Sequence, residues 1–220
     1  MEIDKSVLQF RHPFTAIVAG PTSSGETFLV REILSNHRET INRERTENPL
    51  RVLWCYGIWQ SAYKEPLPGV EIVYTDTLPE EESLRVSKPD LIVCDDMMNE
   101  LKDDTHMSAL FTRISHHLNI SIIFIVQNLF FQGKQCRNIS LNAHYIILMK
   151  NVRDKNQVTH LARQFAPGKV AQFIDAFNDA TSAERGYIRV DLTPQTPERY
   201  GIQTNIIPST KGFAPIIYSI

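Results

Sequence analysis

The 220-residue sequence has few cysteines and no long apolar run. Its longest apolar stretch, residues 120–126, has the length of a buried strand and falls short of the ~20 residues that a membrane helix needs. Three cysteines, Cys55, Cys94 and Cys136, indicate a reducing compartment without a disulfide framework. The N-terminal stretch MEIDKSVLQF is acidic and mixed, unlike a secretory signal or a transit peptide. We therefore expect an intracellular protein that is not secreted and has no membrane partner.

Charge is unevenly distributed, although the formal net charge is only −2. Residues 1–104 contain 11 Lys/Arg against 19 Asp/Glu, whereas residues 105–174 contain eight Lys/Arg and a single acid, Asp154. The basic block indicates a surface that meets phosphate or an acidic partner. The alternative is that folding disperses these charges over several faces.

Short β-rich runs alternate with helical stretches along the chain. Strands are predicted at residues 14–19, 51–56, 70–74, 91–94, 121–126, 145–149 and 187–190, and helices at 27–36, 80–86, 105–117, 155–165 and 170–180. Several of the strands are continuously apolar, as strands covered on both faces should be. The pattern predicts a single α/β domain over residues 1–220, with a doubly wound, mostly parallel sheet and helices on both faces. From about residue 193 we expect an extended tail that contains proline.

A glycine-bounded loop follows the first predicted strand. Its sequence GPTSSGET, residues 20–27, fits the phosphate-binding pattern G-x-x-x-x-G-K-[ST] except at the lysine, where this chain has Glu26. In such a loop, backbone N–H groups turn toward a phosphate at the N-terminus of a helix. The predicted nucleotide-binding residues are Gly20, Pro21, Thr22, Ser23, Ser24, Gly25, Glu26, Thr27 and Phe28.

Two further predicted strands end in polar residues. The stretch PDLIVCDDMM has the form of a Walker B element, in which Asp95 holds Mg²⁺ together with the Thr27 hydroxyl and Asp96 orients or deprotonates the attacking water. The strand at residues 121–126 ends in Gln127, which is suited to sense the terminal phosphate. Because ligands bind at the carboxyl ends of strands in open α/β sheets, the three strand ends together predict a site for ATP and Mg²⁺.

Four stretches carry a resemblance to a known family: FRHPFTAIVAGPTSSGET, LIVCDDMM, LFTRISHHLNISIIFIVQNLFFQGKQCRNISLNAHYIILMKNVRD and GYIRVDL. They resemble the genome-packaging ATPases of the FtsK–HerA superfamily, of the type found in Polinton/Maverick elements, adintovirus-like viruses, virophages and large DNA viruses. The resemblance runs from about residue 10 to residue 208. It implies a P-loop NTPase with a RecA/FtsK-like core that assembles into a pentameric or hexameric ring. Such a ring pumps double-stranded DNA into a capsid, so it also implies capsid proteins as partners and a location in the host nucleus or cytoplasm, or in the virion.

The same resemblance implies roles for residues of the basic block. An arginine finger donated to the neighbouring subunit stabilises transition-state charge, and the candidates are Arg137, Arg153 and Arg113. Four basic residues are candidates for contacts with DNA phosphates in the channel of a ring: Lys134, Arg137, Lys150 and Lys155.

Glu26 departs from the family pattern. It places a negative charge where a cation would meet phosphate oxygens, so we expect this chain to be a poor ATPase. Two explanations are open: an engineered inactivating substitution, which the otherwise complete site favours, and a natural, catalytically dead relative with a role in assembly. The functional alternatives to a motor are a non-hydrolysing scaffold that binds DNA or capsid protein and a nucleoside or nucleotide kinase.

Overall fold

The computed structural model describes residues 5–44, 48–97, 105–130, 134–208 and 214–220, with the backbone alone at residues 5, 105 and 134–137. Its strands are β1 Phe10–Arg11, β2 Thr15–Ala19, β3 Ile41–Asn42, β4 Leu50–Tyr56, β5 Val70–Thr75, β6 Leu91–Asp95, β7 Ser121–Val126, β8 Tyr145–Met149, β9 Tyr187–Asp191, β10 Ile202–Thr204 and β11 Ile216–Ile217. Its helices are α1 Glu26–Ser35, α2 His37–Thr40, α3 Glu81–Ser87, α4 Thr105–Ala109, α5 Ser115–Leu118, α6 Lys134–Leu141, α7 Asn156–Phe165 and α8 Val170–Ala180. A π-helical turn, Leu110–Ile114, joins α4 to α5, and 3₁₀ turns occupy Lys5–Leu8, Ser61–Lys64 and Glu198–Tyr200.

Nine of the described strands form one sheet in the order β11-β10-β9-β8-β2-β7-β6-β4-β5. The strands from β8 to β5 in this order are parallel to one another, and β9, β10 and β11 continue the sheet in antiparallel fashion. The short strands β1 and β3 pair separately. The predicted mostly parallel α/β sheet is therefore confirmed.

Two apolar cores cover the two faces of this sheet, because alternate residues of each strand point to opposite sides. On β2, Ala16 and Val18 belong to the core beneath α1, while Ile17 and Ala19 belong to the core formed with the remaining long helices. Burial on both faces accounts for the continuous apolar character of the central strands. No helix among the described ranges combines the length and the apolar character needed to cross a bilayer.

The seven predicted strands and five predicted helices are confirmed with small shifts at their ends. The prediction missed α6, whose sequence KQCRNISL is short and mostly polar. It also missed the order in the tail, where β10 pairs with β9 and β11 pairs with β10. Such short antiparallel strands depend on the neighbours that they pair with and leave a weak local signal.

A buried arginine on β9 joins the N-terminal segment to the tail. Arg189 is fully buried, and its guanidinium donates hydrogen bonds to the carbonyl oxygens of Leu8 and Val7, both at 2.9 Å, and to the side-chain oxygen of Gln203. The guanidinium carbon also lies 4.9 Å from the ring centroid of Phe10. Segments that lie far apart in the sequence are therefore held by one side chain.

Candidate functional site

Strand order brings the three predicted strand ends together. Strand β7 lies between β2 and β6, with Ala19 opposite Val126 and Asp95 opposite Ile125 in the register. The loops that leave these three strands therefore emerge side by side at the carboxyl edge of the sheet. The phosphate-loop residues, the two aspartates and Gln127 meet there, as the sequence predicts.

The loop after β2 turns tightly into α1. The Gly20 N–H donates to the Val126 carbonyl oxygen at 3.1 Å, and the Ser24 N–H donates to the Pro21 carbonyl oxygen at 3.0 Å. Gly25 adopts a φ of 103°, a left-handed conformation that favours glycine, immediately before the helix begins. This geometry aims the first turn of α1 into the site.

A cleft of about 600 Å³ opens at this edge. The predicted nucleotide-binding residues that line it are Thr22, Ser23, Gly25, Glu26, Thr27 and Phe28. The remaining three, Gly20, Pro21 and Ser24, are not among its lining residues. Pro21 and Ser24 close the turn of the loop, and Gly20 joins the loop to β7.

Asp95, at the end of β6, is hydrogen-bonded to the first turn of α1. Its Oδ2 atom accepts hydrogen bonds from the Thr27 hydroxyl at 3.0 Å and from the Tyr63 hydroxyl at 2.8 Å, and the residue is 3% exposed. Burial raises the pKa of the Asp95 carboxyl, and the two hydroxyl donors oppose that rise. A hydroxyl and a carboxylate oxygen that already touch are ligands of the kind that Mg²⁺ takes from proteins, so these two residues fit the predicted metal role.

Tyr63 was not predicted, because it belongs to the short 3₁₀ turn after β4 and carries no motif. It packs among aromatic rings that include Trp54 and Tyr74, with centroids 5.3 Å and 5.2 Å away. Burial together with the neighbouring Asp95 charge raises the pKa of the Tyr63 hydroxyl, which therefore stays protonated as a donor.

Asp96 and Gln127 line the same cleft. Asp96 has a left-handed φ of 57°, and the backbone of Gly57 packs directly against it. A Cβ atom at Gly57 would lie 2.2 Å from the Asp96 carbonyl oxygen, so only glycine fits there. Gln127 is exposed at the end of β7, where its amide can meet a ligand.

Side chains from the loop after β8 and from the start of α7 fix the segment that follows Gln127. The Leu129 N–H donates to the side-chain oxygen of Gln157 at 2.9 Å, and the Gln157 amide donates to Asp154 at 3.2 Å. The Asn128 amide lies 3.4 Å from the same Asp154 oxygen. The one acid of the basic block thus organises the loop that carries the predicted sensor.

Glu26 is a buried carboxylate at the phosphate loop. It is 8% exposed and lines the cleft at the first position of α1. Burial raises the pKa of its carboxyl, interactions with the backbone N–H groups of Glu26 and Gly25 oppose that rise, and the charge of Asp95 adds to it. A carboxylate of this chain therefore lies beside the backbone N–H groups that a phosphate would need.

Glu26→Gln is expected to make the ligand-free fold less sensitive to pH. The pKa values of Glu26 and Asp95 are both raised in the fold, so the folded chain binds more protons than the unfolded chain above the ordinary carboxyl pKa values of 4.5 and 3.8. The free energy of unfolding then falls as pH rises through that window. Glu26→Gln removes the contribution of Glu26 to this decrease. Thermal unfolding between pH 4 and pH 8 measures this, with the exposed carboxylate of Glu39 changed to Gln as the control. A Glu26→Gln profile that parallels that of the original chain contradicts the expectation.

Two arginines that the sequence did not single out also line the cleft, Arg31 and Arg185. Arg31 is 7% exposed and donates to the Glu65 carbonyl oxygen at 2.6 Å, which holds the loop after β4. The Arg185 guanidinium carbon lies 4.3 Å from the ring centroid of Phe28. Among the described residues, Arg31 and Arg185 are the Lys/Arg residues that line the cleft. Position 26, where the phosphate-loop pattern has lysine, supplies no cation.

The residues predicted as arginine finger or DNA contacts lie away from the cleft wall or outside the described side chains. Arg113 is exposed on the π-helical turn, and Arg153 is exposed in the loop after β8, where its N–H donates to the Asn151 side chain at 3.0 Å. Lys150 and Lys155 are exposed in that same loop. The side chains of Lys134 and Arg137 lie outside the described residues, so these roles stay predictions. Among the described residues no group of three His, Cys, Asp or Glu side chains forms a metal cluster.

Comparison with known proteins shows the fold. The chain matches no protein-family model and no protein of curated function. It is similar to the solved genome-packaging NTPase B204 of Sulfolobus turreted icosahedral virus 2 in complex with AMPPCP, with a TM-score of 0.56, 12% identity, and coverage of 87% of this chain and 96% of that one. The ATP-gammaS complex of that protein gives the same values. The DNA-packaging ATPase B204 of Sulfolobus turreted icosahedral virus matches with a TM-score of 0.51 and 12% identity over 88% of this chain and 97% of that one.

Proposed function

We propose that this chain is an ATPase subunit of a motor that translocates double-stranded DNA into a viral or virus-like capsid, as a ring of identical subunits. The observation that carries the proposal is the hydrogen bond of 3.0 Å between Thr27 and Asp95, which joins the phosphate loop to the acidic strand while Gln127 ends the strand between them. The fold similarity to viral packaging NTPases supports the same conclusion. So does the resemblance of four sequence stretches to the FtsK–HerA packaging ATPases.

The residues of the cleft have distinct roles in this proposal. Backbone N–H groups from Thr22 to Phe28 bind the phosphates of ATP, and Thr27 and Asp95 hold Mg²⁺, which stabilises charge on the transferred phosphoryl group. Asp96 accepts a proton from the attacking water, and Gln127 orients it. An arginine of the neighbouring subunit, among Arg113, Arg137 and Arg153, completes the site.

The buried Glu26 carboxylate favours a second candidate, a non-hydrolysing scaffold with the same fold. A carboxylate that lines the phosphate loop at 8% exposure repels the phosphates of a nucleotide. In that case the chain binds DNA or capsid protein without turnover. No contact among the described residues favours the kinase alternative.

The test compares ATP hydrolysis by the original chain and by Glu26→Lys, with and without double-stranded DNA. We expect little turnover from the original chain and DNA-stimulated turnover from Glu26→Lys. The double variant Glu26→Lys/Asp96→Asn is the control, because it keeps the restored cation and loses the proposed base. Phosphate release that is equally low in all three chains favours the scaffold, and transfer of phosphate to an added nucleoside points to a kinase.

A further inference from the structure

A second cleft, of about 790 Å³, lies at the opposite end of the sheet. Its walls include residues just before or at the start of parallel strands, Arg51 near the start of β4, Asp90 before β6 and Asn119 before β7. The ATP site lies at the carboxyl ends of these strands, so the two clefts are separated by the length of the sheet. We call the second one the basal cleft.

The basal cleft concentrates positive charge in the acidic part of the chain. Five Lys/Arg residues line it against two acids: Arg11, Arg43, Arg51, Arg85 and Lys88 against Glu44 and Asp90. All seven lie within residues 1–104, where acids outnumber Lys/Arg by 19 to 11. Folding has therefore gathered cations from separate segments onto one surface, which indicates an anionic ligand.

The centre of the basal cleft contains a shared carboxylate. The Asp90 Oδ2 atom lies 3.5 Å from Arg43 Nη1 and 3.5 Å from Arg51 Nε. The Arg43 side chain is only 4% exposed, yet its Nε atom has no hydrogen-bond partner. Two guanidinium groups share one carboxylate, so the centre of the basal cleft carries a net positive charge that favours an anion.

The other cations lie around this centre and not at a single point. Lys88 is exposed after α3, Arg11 is half-buried at the end of β1, and Arg85 pairs with Glu81 at the edge. Exposed Asn42, His117 and Asn119 add further polar groups to the walls. Cations spread over a wide, open surface suit a repeating polyanion better than one small anion.

We propose that the basal cleft binds the phosphodiester backbone of double-stranded DNA. The inference deepens the proposed function, on which it rests for the choice of DNA as the polyanion. It places the DNA contact at Arg11 and Lys88, at the end of the sheet opposite the proposed ATP site. It thereby differs from contacts through Lys150 and Lys155, which lie at the carboxyl edge.

The experiment measures binding of the original chain to a fluorescent DNA duplex of 20 base pairs by anisotropy, over a series of salt concentrations. The test variant is Arg11→Gln/Lys88→Gln, which leaves the structural pair of Arg43 and Asp90 in place. We expect about a hundredfold loss of affinity at low salt. The slope of log affinity against log salt concentration should fall in magnitude by about 2, because two phosphate contacts are lost. The matched control removes two exposed cations elsewhere, Arg38→Gln/Arg163→Gln, and should change affinity less than twofold.

Four results overturn the proposal. Three of them are no binding of DNA by the original chain, equal losses in the test and control variants, and a loss confined to a third variant, Lys150→Gln/Lys155→Gln. Displacement of the DNA by inorganic tripolyphosphate at equal phosphate concentration also overturns it, in favour of a small-anion site. ATP binding by the Glu26→Lys chain is measured in parallel. Failure of the DNA contact with ATP binding intact rejects the basal cleft alone, whereas failure of ATP binding with the DNA contact intact rejects the ATPase function alone.

Discussion

Glu26→Lys is expected to tighten the binding of MgATP by two to four orders of magnitude. The residue at position 26 lines the cleft at the first turn of α1. A lysine ammonium at this position of a phosphate loop would lie about 4 Å from phosphate oxygens. One unit-charge pair at that distance contributes about 4 kcal/mol at an effective dielectric of 20, and reversing a carboxylate also removes a repulsion. Reorientation of the side chain and screening by Mg²⁺ reduce the total to roughly 3–5 kcal/mol, which gives the stated range.

Isothermal titration with a non-hydrolysable ATP analogue measures this change directly. Glu26→Gln separates the two contributions, because it removes the carboxylate and its repulsion without adding a cation. We expect its affinity to fall between those of the original chain and Glu26→Lys. In the Glu26→Lys background, Thr27→Ala should make the affinity for the ATP analogue independent of Mg²⁺, because the hydroxyl next to Asp95 is removed. If the glutamine and lysine variants bind equally, the carboxylate blocks the site and a cation there contributes nothing.

Arg189→Ala is expected to lower the free energy of unfolding by about 3–5 kcal/mol. The guanidinium is fully buried, and its loss leaves the carbonyl oxygens of Val7 and Leu8 and the Gln203 side chain without this donor. Each buried acceptor left unpaired costs about 1–3 kcal/mol, and the contact with the Phe10 ring is lost as well. Gln203 keeps its own donation to the Val7 oxygen, so the total stays below the sum of the three.

Chemical denaturation measures this change, and Arg163→Ala on the exposed face of α7 is the control, with an expected change within about 0.5 kcal/mol. Arg189→Lys should recover only part of the loss, because one ammonium cannot reproduce the planar fork that reaches three acceptors. Faster proteolysis near residue 8 in Arg189→Ala would show that the N-terminal segment is the part released. A loss below about 1 kcal/mol would falsify the structural role assigned to this arginine.

The sequence by itself determined the long strands of the sheet and the composition of the proposed ATP site. A strand buried on both faces must be apolar along its whole length, so the strands ending at Ala19, Asp95 and Val126 were readable from local sequence. The phosphate loop was readable for a similar reason, because its backbone conformation demands glycine at fixed spacing. The short strands β10 and β11 and the helix α6 were not, since pairing and packing with distant segments stabilise them more than their own sequence does.

Only the tertiary structure decided which distant side chains meet. The order of strands brought Tyr63 to the Asp95 carboxylate and Arg185 to the phosphate loop, and neither residue belongs to a motif. It also buried Arg189 under two chain segments and gathered the cations of the basal cleft from an acidic half of the chain. Contacts of this kind depend on how strands cross and align, and a one-dimensional pattern of residue types carries no record of that alignment.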